Sequence, residues 1–227
     1  DQECTAFIAA TFAFGNVRSI LATLQKVLEP LGPEPVNTLI EWRPGQIKAF
    51  SKGLYYRFFS ASDIESLFMT LRHIYRTSPK GLESLIPSHG SHLQRLAEFR
   101  RMLTDGLRPS PGLKFMFPDP LAGAAKRLHM FMRWMVRRDD VDLGLWSSVD
   151  PANLLIPLDT HIFGICRGVN LTQRKQPGLA AVLELTEVFR TWDPNDPIKY
   201  DFALCRLGIL KQKKDFITNF KALARAL

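Results

Sequence analysis

Apolar positions recur every three or four residues along nearly the whole chain, and the strict alternation that marks a half-buried strand is almost absent. The stretches ECTAFIAATFAF, VRSILATLQKVLEPL, DIESLFMTLRHIYRT, HLQRLAEFRRMLTDGL, AAKRLHMFMRWMVRR, DTHIFGICRGVNL, LAAVLELTEVFRTW, KYDFALCRLGIL and KDFITNFKALARAL each carry this helical period. Ser62-Asp63, Asp119-Pro120 and Asp196-Pro197 supply the acceptor side chains and first-turn prolines that open helices. Gly15, Gly32, Gly106 and Gly168 mark the stops. The RPSPG segment at 108–112 is the clearest loop, and no repeat of fixed period occurs. The pattern predicts an all-α globule of roughly ten helices. It forms one domain over 1–227, either undivided or built as two lobes that part near 108–118.

Composition narrows the class. With 227 residues, 46% of them apolar, the chain can bury an ordinary core. No apolar run approaches the roughly 18 residues needed to span a bilayer, so no membrane association is expected. No positively charged start followed by an apolar block marks a secretory leader. The chain opens at Asp1 without a methionine, which leaves a removed upstream segment open. Cys4, Cys166 and Cys205 are odd in number and widely spaced. That argues against a disulfide framework and for a reducing, cytoplasmic compartment. There is no CxxC or HExxH, and His89 and His92 belong to no four-ligand arrangement, so neither a structural zinc nor an iron–sulfur cluster is expected. The net charge of +8, from 30 basic and 22 acidic residues, points to a polyanionic partner, nucleic acid first.

Two stretches carry candidate chemistry. In DPLAGAAKRLHMFMRWMVRRDD, Asp119 and Pro120 open a helix or a tight turn. Gly123, Ala124 and Ala125 carry so little side chain that a backbone or a phosphate can come close. Lys126 then stands in the first turns of a long helix, with Met130 and Trp134 following on the same face. Flanking apolar groups and the positive end of the helix dipole both favour a neutral amine, which is a nucleophile toward a carbon such as a sugar C1′. A surface lysine covering apolar area with its stem, and a phosphate clamp, are the other two readings. In IPLDTHIFGICR, Pro157 ends an extended approach and Asp159 stands at a helix N-cap. Its carboxylate either caps only, or also stabilises positive charge on a sugar as a base departs.

A Lys opening one helix and an Asp opening a later one in a P-x-D-T-H context resembles the helix-hairpin-helix DNA glycosylase superfamily. In that superfamily the lysine attacks C1′ and the aspartate assists. The usual LPGVGxKTA-like hairpin run is not present, and GAAKRL is a degenerate form of it. The spacing from Lys126 to Asp159 is longer than in the endonuclease-III type and is similar to that of the archaeal 8-oxoguanine glycosylase branch. The runs FIAATFAFGN, YYRFFSASDIESLF, AKRLHMFMRWMVRRDDVDLGLW, IPLDTHIFGICR and DPNDPIKYDFALCRLG, which cover most of the chain, resemble an uncharacterised, mostly bacterial relative of that superfamily.

The resemblance implies a two-lobed helical fold with the site between the lobes, and a monomer in a bacterial or archaeal cytosol. It implies a bifunctional glycosylase and abasic-site lyase that works without a cofactor or metal on duplex DNA bearing a damaged base, 8-oxoguanine among the candidates. A non-catalytic DNA-binding relative that holds bent or damaged duplex is the alternative. The catalytic pair is Lys126 and Asp159.

An extruded base needs a pocket. Asp201, Leu204, Cys205 and Gly208 share a helical face. The archaeal branch uses an aspartate on its last core helix to read the purine edge, which makes Asp201 the base-reading candidate. The other reading is a buried partner for an arginine. Met130 and Trp134 either stack on the base or belong to plain core, Cys205 lies on the pocket wall, and Asn16 either presents its amide to a base or caps the next helix. Arg127, Arg133, Arg167, Arg174 and Lys175 are the candidate phosphate contacts, with KQKK at 211–214 peripheral. Tyr55 and Tyr56 either enter the base stack or pack between helices.

Overall fold

The structure, a computed structural model, describes residues 1–226. Among the described residues there are twelve α-helices and no strand, only isolated bridges between Tyr56 and Phe59 and between Arg138 and Leu143. No helix among them is long and apolar enough to cross a membrane. The chain forms two compact units, Asp1–Asp119 and a second that begins at Pro120.

The first unit holds α1 (Gln2–Phe12), α2 (Val17–Leu28), α3 (Pro35–Glu41), α4 (Pro44–Ser51), α5 (Ala61–Thr77), α6 (His92–Leu103) and α7 (Pro111–Met116). Helices α3 and α4 lie along α5. The core is aromatic. Phe12 meets Phe59 edge-on with ring centres 5.5 Å apart, and Phe7 does the same to Phe99 at 6.4 Å. Each such side chain stabilises the fold by about 1.5–3 kcal/mol through burial.

Helix α5 is opened by Ser60, whose hydroxyl meets the Asp63 amide while the Asp63 carboxylate accepts the Ser60 amide at 2.8 Å. Asp63 also accepts the Ser110 hydroxyl at the start of α7, so one buried carboxylate ties two helix starts together. Gly112 lies against it so closely that a Cβ there would collide with the Asp63 carboxylate and the Phe58 carbonyl.

The second unit holds α8 (Lys126–Val136), α9 (Thr160–Gly168), α10 (Leu179–Trp192), α11 (Asp201–Ile209) and α12 (Lys213–Ala226). Helices α9 and α11 are its closest pair, and α12 lies on α9. Glycines set both approaches. A Cβ on Gly208 would collide with the His161 side chain, and one on Gly168 with Ile217. The segment after α8 doubles back. The Trp134 carbonyl accepts the Leu143 amide at 2.9 Å and the Met135 carbonyl accepts the Trp146 amide at 2.8 Å. Carbonyls in the last turn of α8 are thereby satisfied, and Trp146 packs edge-on against Phe131.

Several expected boundaries move. The cap of α5 is Ser60, with Asp63 in its first turn. Asp119-Pro120 opens a tight turn, and α8 begins only at Lys126. Asp196-Pro197 likewise precedes α11 by a turn. Gly168 is the last residue of α9, and Asn170 takes the left-handed conformation at φ 62°. Pro111 and Gly112, expected in a loop, open α7.

Burial pushes the Asp63 carboxyl up, but hydrogen bonds from Ser110 and Ser60 outweigh it and hold it below the usual carboxylate range. The folded state therefore binds that proton less tightly than the unfolded chain. The stabilisation is complete above the unfolded value of about 3.9 and is lost as pH falls through the lower folded value. Asp63→Ala is expected to lower the unfolding free energy by about 1–3 kcal/mol at neutral pH in denaturant titrations. The gap between wild type and Asp63→Asn should narrow as the titrations move to acid.

Candidate functional site

Lys126 is the first residue of α8, at the positive end of its dipole. The chain turns into α8 through Ala125, which holds a left-handed backbone at φ 39° and ψ 38° without a side-chain cap. For an alanine this conformation costs about 1–2 kcal/mol. A Cβ on Gly123 would meet no atom within 4 Å, so the turn leaves open backbone just ahead of the lysine.

Asp159 is the N-cap of α9, reached along the buried segment 154–158, which turns tightly at Pro157 where the Leu158 amide meets the Ile156 carbonyl at 2.8 Å. Its two oxygens do different work. Oδ1 accepts the His161 and Ile162 amides at 2.9 and 2.8 Å. Oδ2 accepts the Cys205 thiol at 3.2 Å and lies 3.5 Å from Lys126 Nζ. The aspartate side chain is 10% exposed and the lysine side chain 38%. The amine is thus half-covered, less enclosed than its Met and Trp neighbours suggest. Burial raises the Asp159 carboxyl, but the Ile162 amide, the Lys126 charge and the Cys205 thiol together carry it below the usual range. Burial, and next the Asp159 charge, pushes the Cys205 thiol up to about 11, so it stays protonated and donates.

The pair opens on a cleft of about 390 Å³, a volume suited to a small organic group. On α8, Lys126, Met130 and Trp134 are the half-buried positions among otherwise buried neighbours, and all three line the cleft. Asp201 and Cys205 line it from α11. Arg133 lines it too, but as a buried group. Its Nε meets Asp142 at 3.0 Å and its Nη1 pairs with Asp201. Asp201 is therefore an arginine's buried partner and a cleft wall at once. Arg137 extends the cluster, pairing with Asp142, with Asp139 at 2.7 Å and with Asp196 at 2.8 Å.

The sequence reading missed Phe202, Val141, Pro157 and Ile162 as lining residues. Phe202 was within reach of it, because it follows Asp201 at the start of α11. Its ring lies under Arg133 and Arg206, at 5.9 and 5.8 Å. Val141 comes from the irregular return after α8, where no period signals it.

Residues 1–210 match the profile of the family described as "Protein of unknown function (DUF2400)". The chain belongs to the DUF2400 family. Comparison with the curated proteins and with the solved structures gave no match. Every residue that lines the cleft of this DUF2400 chain falls inside the matched span.

The remaining candidates in the DUF2400 chain fall into distinct places. Asn16 lies in the first unit and caps α2, its side-chain oxygen accepting the Arg18 amide at 2.9 Å. Arg127 and Arg133, expected as phosphate contacts, are buried. Arg133 is engaged there by Asp142 and Asp201. Arg167 is exposed, lying over the Phe163 ring at 5.8 Å. Arg174 is exposed but pairs with Glu184 at 2.7 Å, and Lys175 is exposed. Tyr56 is buried and Tyr55 is exposed. Among the described residues no three His, Cys, Asp or Glu side chains are grouped to hold a metal ion.

Breaking a buried ion pair strands a charge, whereas an exposed pair contributes little. Arg133→Met is expected to cost about 3–5 kcal/mol in denaturant unfolding. Arg174→Met should cost less than about 1 kcal/mol. Equal costs would show that the buried cluster has no special weight.

Proposed function

We propose that the chain is a base-excision DNA glycosylase with abasic-site lyase activity and that oxidised guanine is the base it removes. The observation that carries this reading is the 3.5 Å approach of Lys126 Nζ to Asp159 Oδ2 on the wall of a cleft. A two-lobed, glycosylase-like arrangement with a degenerate hairpin at the turn before α8 belongs to the same proposal.

In this mechanism the Nζ lone pair bonds to C1′ of the extruded nucleotide, and the C1′–N bond breaks with its electrons leaving on the base. The C1′–O4′ bond then opens to give an iminium. Of the three ammonium protons, one ends on the departing base, one on O4′, and one stays on nitrogen. Loss of a C2′ proton to solvent gives an enamine, whose electrons expel the 3′ phosphate.

Asp159 is suited to electrostatic work. A carboxylate held below its usual range is an anion at neutral pH and a poor store for a proton. Its Oδ2 faces the positive charge that develops at C1′ as the base departs. Asp201, fixed by Arg133, reads the base edge, and Met130, Trp134 and Phe202 hold its faces. Arg167, Arg174 and Lys175 contact the backbone of the strand.

Borohydride added to protein with abasic or 8-oxoguanine duplex should reduce the iminium to a stable cross-link that is absent in Lys126→Ala. No cross-link with either duplex would leave the non-catalytic DNA-binding reading. Asparagine caps a helix about as well as aspartate. Asp159→Asn should therefore keep the fold and the DNA affinity while slowing base release roughly 10²–10³-fold in single-turnover assays. Unchanged release would reduce Asp159 to a cap.

A further inference from the structure

The first unit carries an exposed aromatic turn that the cleft chemistry does not use. In the segment Tyr55–Phe59, Tyr56 and Phe59 are buried and joined by two backbone hydrogen bonds, at 3.0 and 2.8 Å. The Tyr56 hydroxyl is anchored to the Phe14 carbonyl. Between these anchors Arg57 holds a left-handed backbone at φ 53°, a strained conformation for an arginine, and Phe58 is left 58% exposed.

Phe58 does not stand alone. Its ring lies parallel to that of Phe14, 9° between planes, and 4.8 Å from that of Phe115 on α7. The Arg57 guanidinium sits 5.9 Å from both the Phe14 and the Phe58 rings. A Cβ on Gly15 would come within 3.2 Å of the Arg57 side chain, so the glycine makes room for that placement. Water gives such a surface no return. A solvent-facing set of rings beside a guanidinium suits a flat π-system.

The residue next to Phe115 opens onto a second feature. Lys114, with Arg100 and Arg108, lines a cleft of about 230 Å³ that has no carboxylate in its wall. Among the described residues neither Arg108 nor Lys114 pairs with an acid, and both are exposed. Helix α7 thus presents an aromatic contact and a cationic one on consecutive residues. A nucleic-acid strand alternates bases that stack with phosphates that carry charge, which is the matching pattern.

We propose that the first unit binds an unpaired stretch of nucleic acid, a base stacking on Phe58 and a neighbouring phosphate entering the Arg108–Lys114 cleft. This goes beyond the glycosylase reading and shares with it only the class of partner.

The test is fluorescence anisotropy of the whole protein with labelled, undamaged oligothymidylate, which has no lesion for Lys126 to act on. Phe58→Ala should raise Kd roughly five- to hundred-fold, the weight of one stacked base. Phe58→Trp should bind like wild type and Phe58→Leu like Phe58→Ala. The double variant Arg108→Ala/Lys114→Ala should make the dependence of log K on log salt shallower by about 0.7, the weight of one phosphate on a single strand.

The proposal is overturned if wild type does not bind the oligomer, if Phe58→Leu binds like wild type, or if the double variant keeps the full salt slope. Failure of wild type to bind would leave this face to an apolar protein partner. Because Phe58 is mostly exposed, its variants should keep the wild-type circular dichroism. Should Phe58→Ala misfold, Phe58→Trp, Phe58→Leu and the double variant still decide the matter. Phe58→Leu should lose oligomer binding yet keep the borohydride cross-link on abasic duplex, whereas a missing cross-link in wild type that still binds the oligomer bears on the cleft.

Discussion

A carboxylate at a helix N-terminus has two oxygens, and in Asp159 they are divided between the helix cap and the wall of the cleft. Oδ1 is bound by two backbone amides of α9. That fixes the torsions of the side chain and leaves Oδ2 aimed at Cys205 and Lys126. The cap therefore sets the position of Oδ2 against Lys126. Capping and the proposed chemistry are compatible in Asp159, because the cap fixes the oxygen that the chemistry would use. Cys205 adds to this. Its thiol, kept protonated by burial, gives Oδ2 a donor from α11 and so ties that helix to the same point.

The far half of the cleft is held by charge. Arg133 sits between Asp142 and Asp201, and Arg137 between Asp142, Asp139 and Asp196. The cluster joins α8, the return after it, the approach to α11 and the start of α11 itself. Removing charges from water is expensive, and such a cluster persists only when each charge finds partners of good geometry. The result is an acid on the cleft wall whose position is fixed from behind. An apolar wall of the same shape would present no acceptor there.

Much of this was legible in the chain and some was not. The long amphipathic helices announced themselves by period, and α3, α4 and α7 did not. Each of the three is short and opens on a proline, and there are too few turns to establish a period. Lys126 and Asp159 were readable from helix starts and the D-T-H context, Asp201 from the family resemblance, and Cys205 from the helical face it shares with Asp201. The burial of Arg127 and Arg133 was not legible, for a definite reason. A basic run looks solvated in sequence, but α8 is buried on most sides, and the partners that make burial tolerable for Arg133 lie nine and sixty-eight residues away. Ala125 gave no sign of its left-handed backbone. Glycine is the usual marker of that conformation, and the glycine of the turn stands two residues earlier.

The same ionic cluster has a consequence for heat. The hydration of charged groups weakens as temperature rises, so the cost of keeping Arg133, Arg137 and their carboxylates dry falls on warming. Hydrophobic stabilisation per unit area levels off over the same range. The acid wall of the cleft should thus be among the last parts of the second unit to loosen as the protein is warmed.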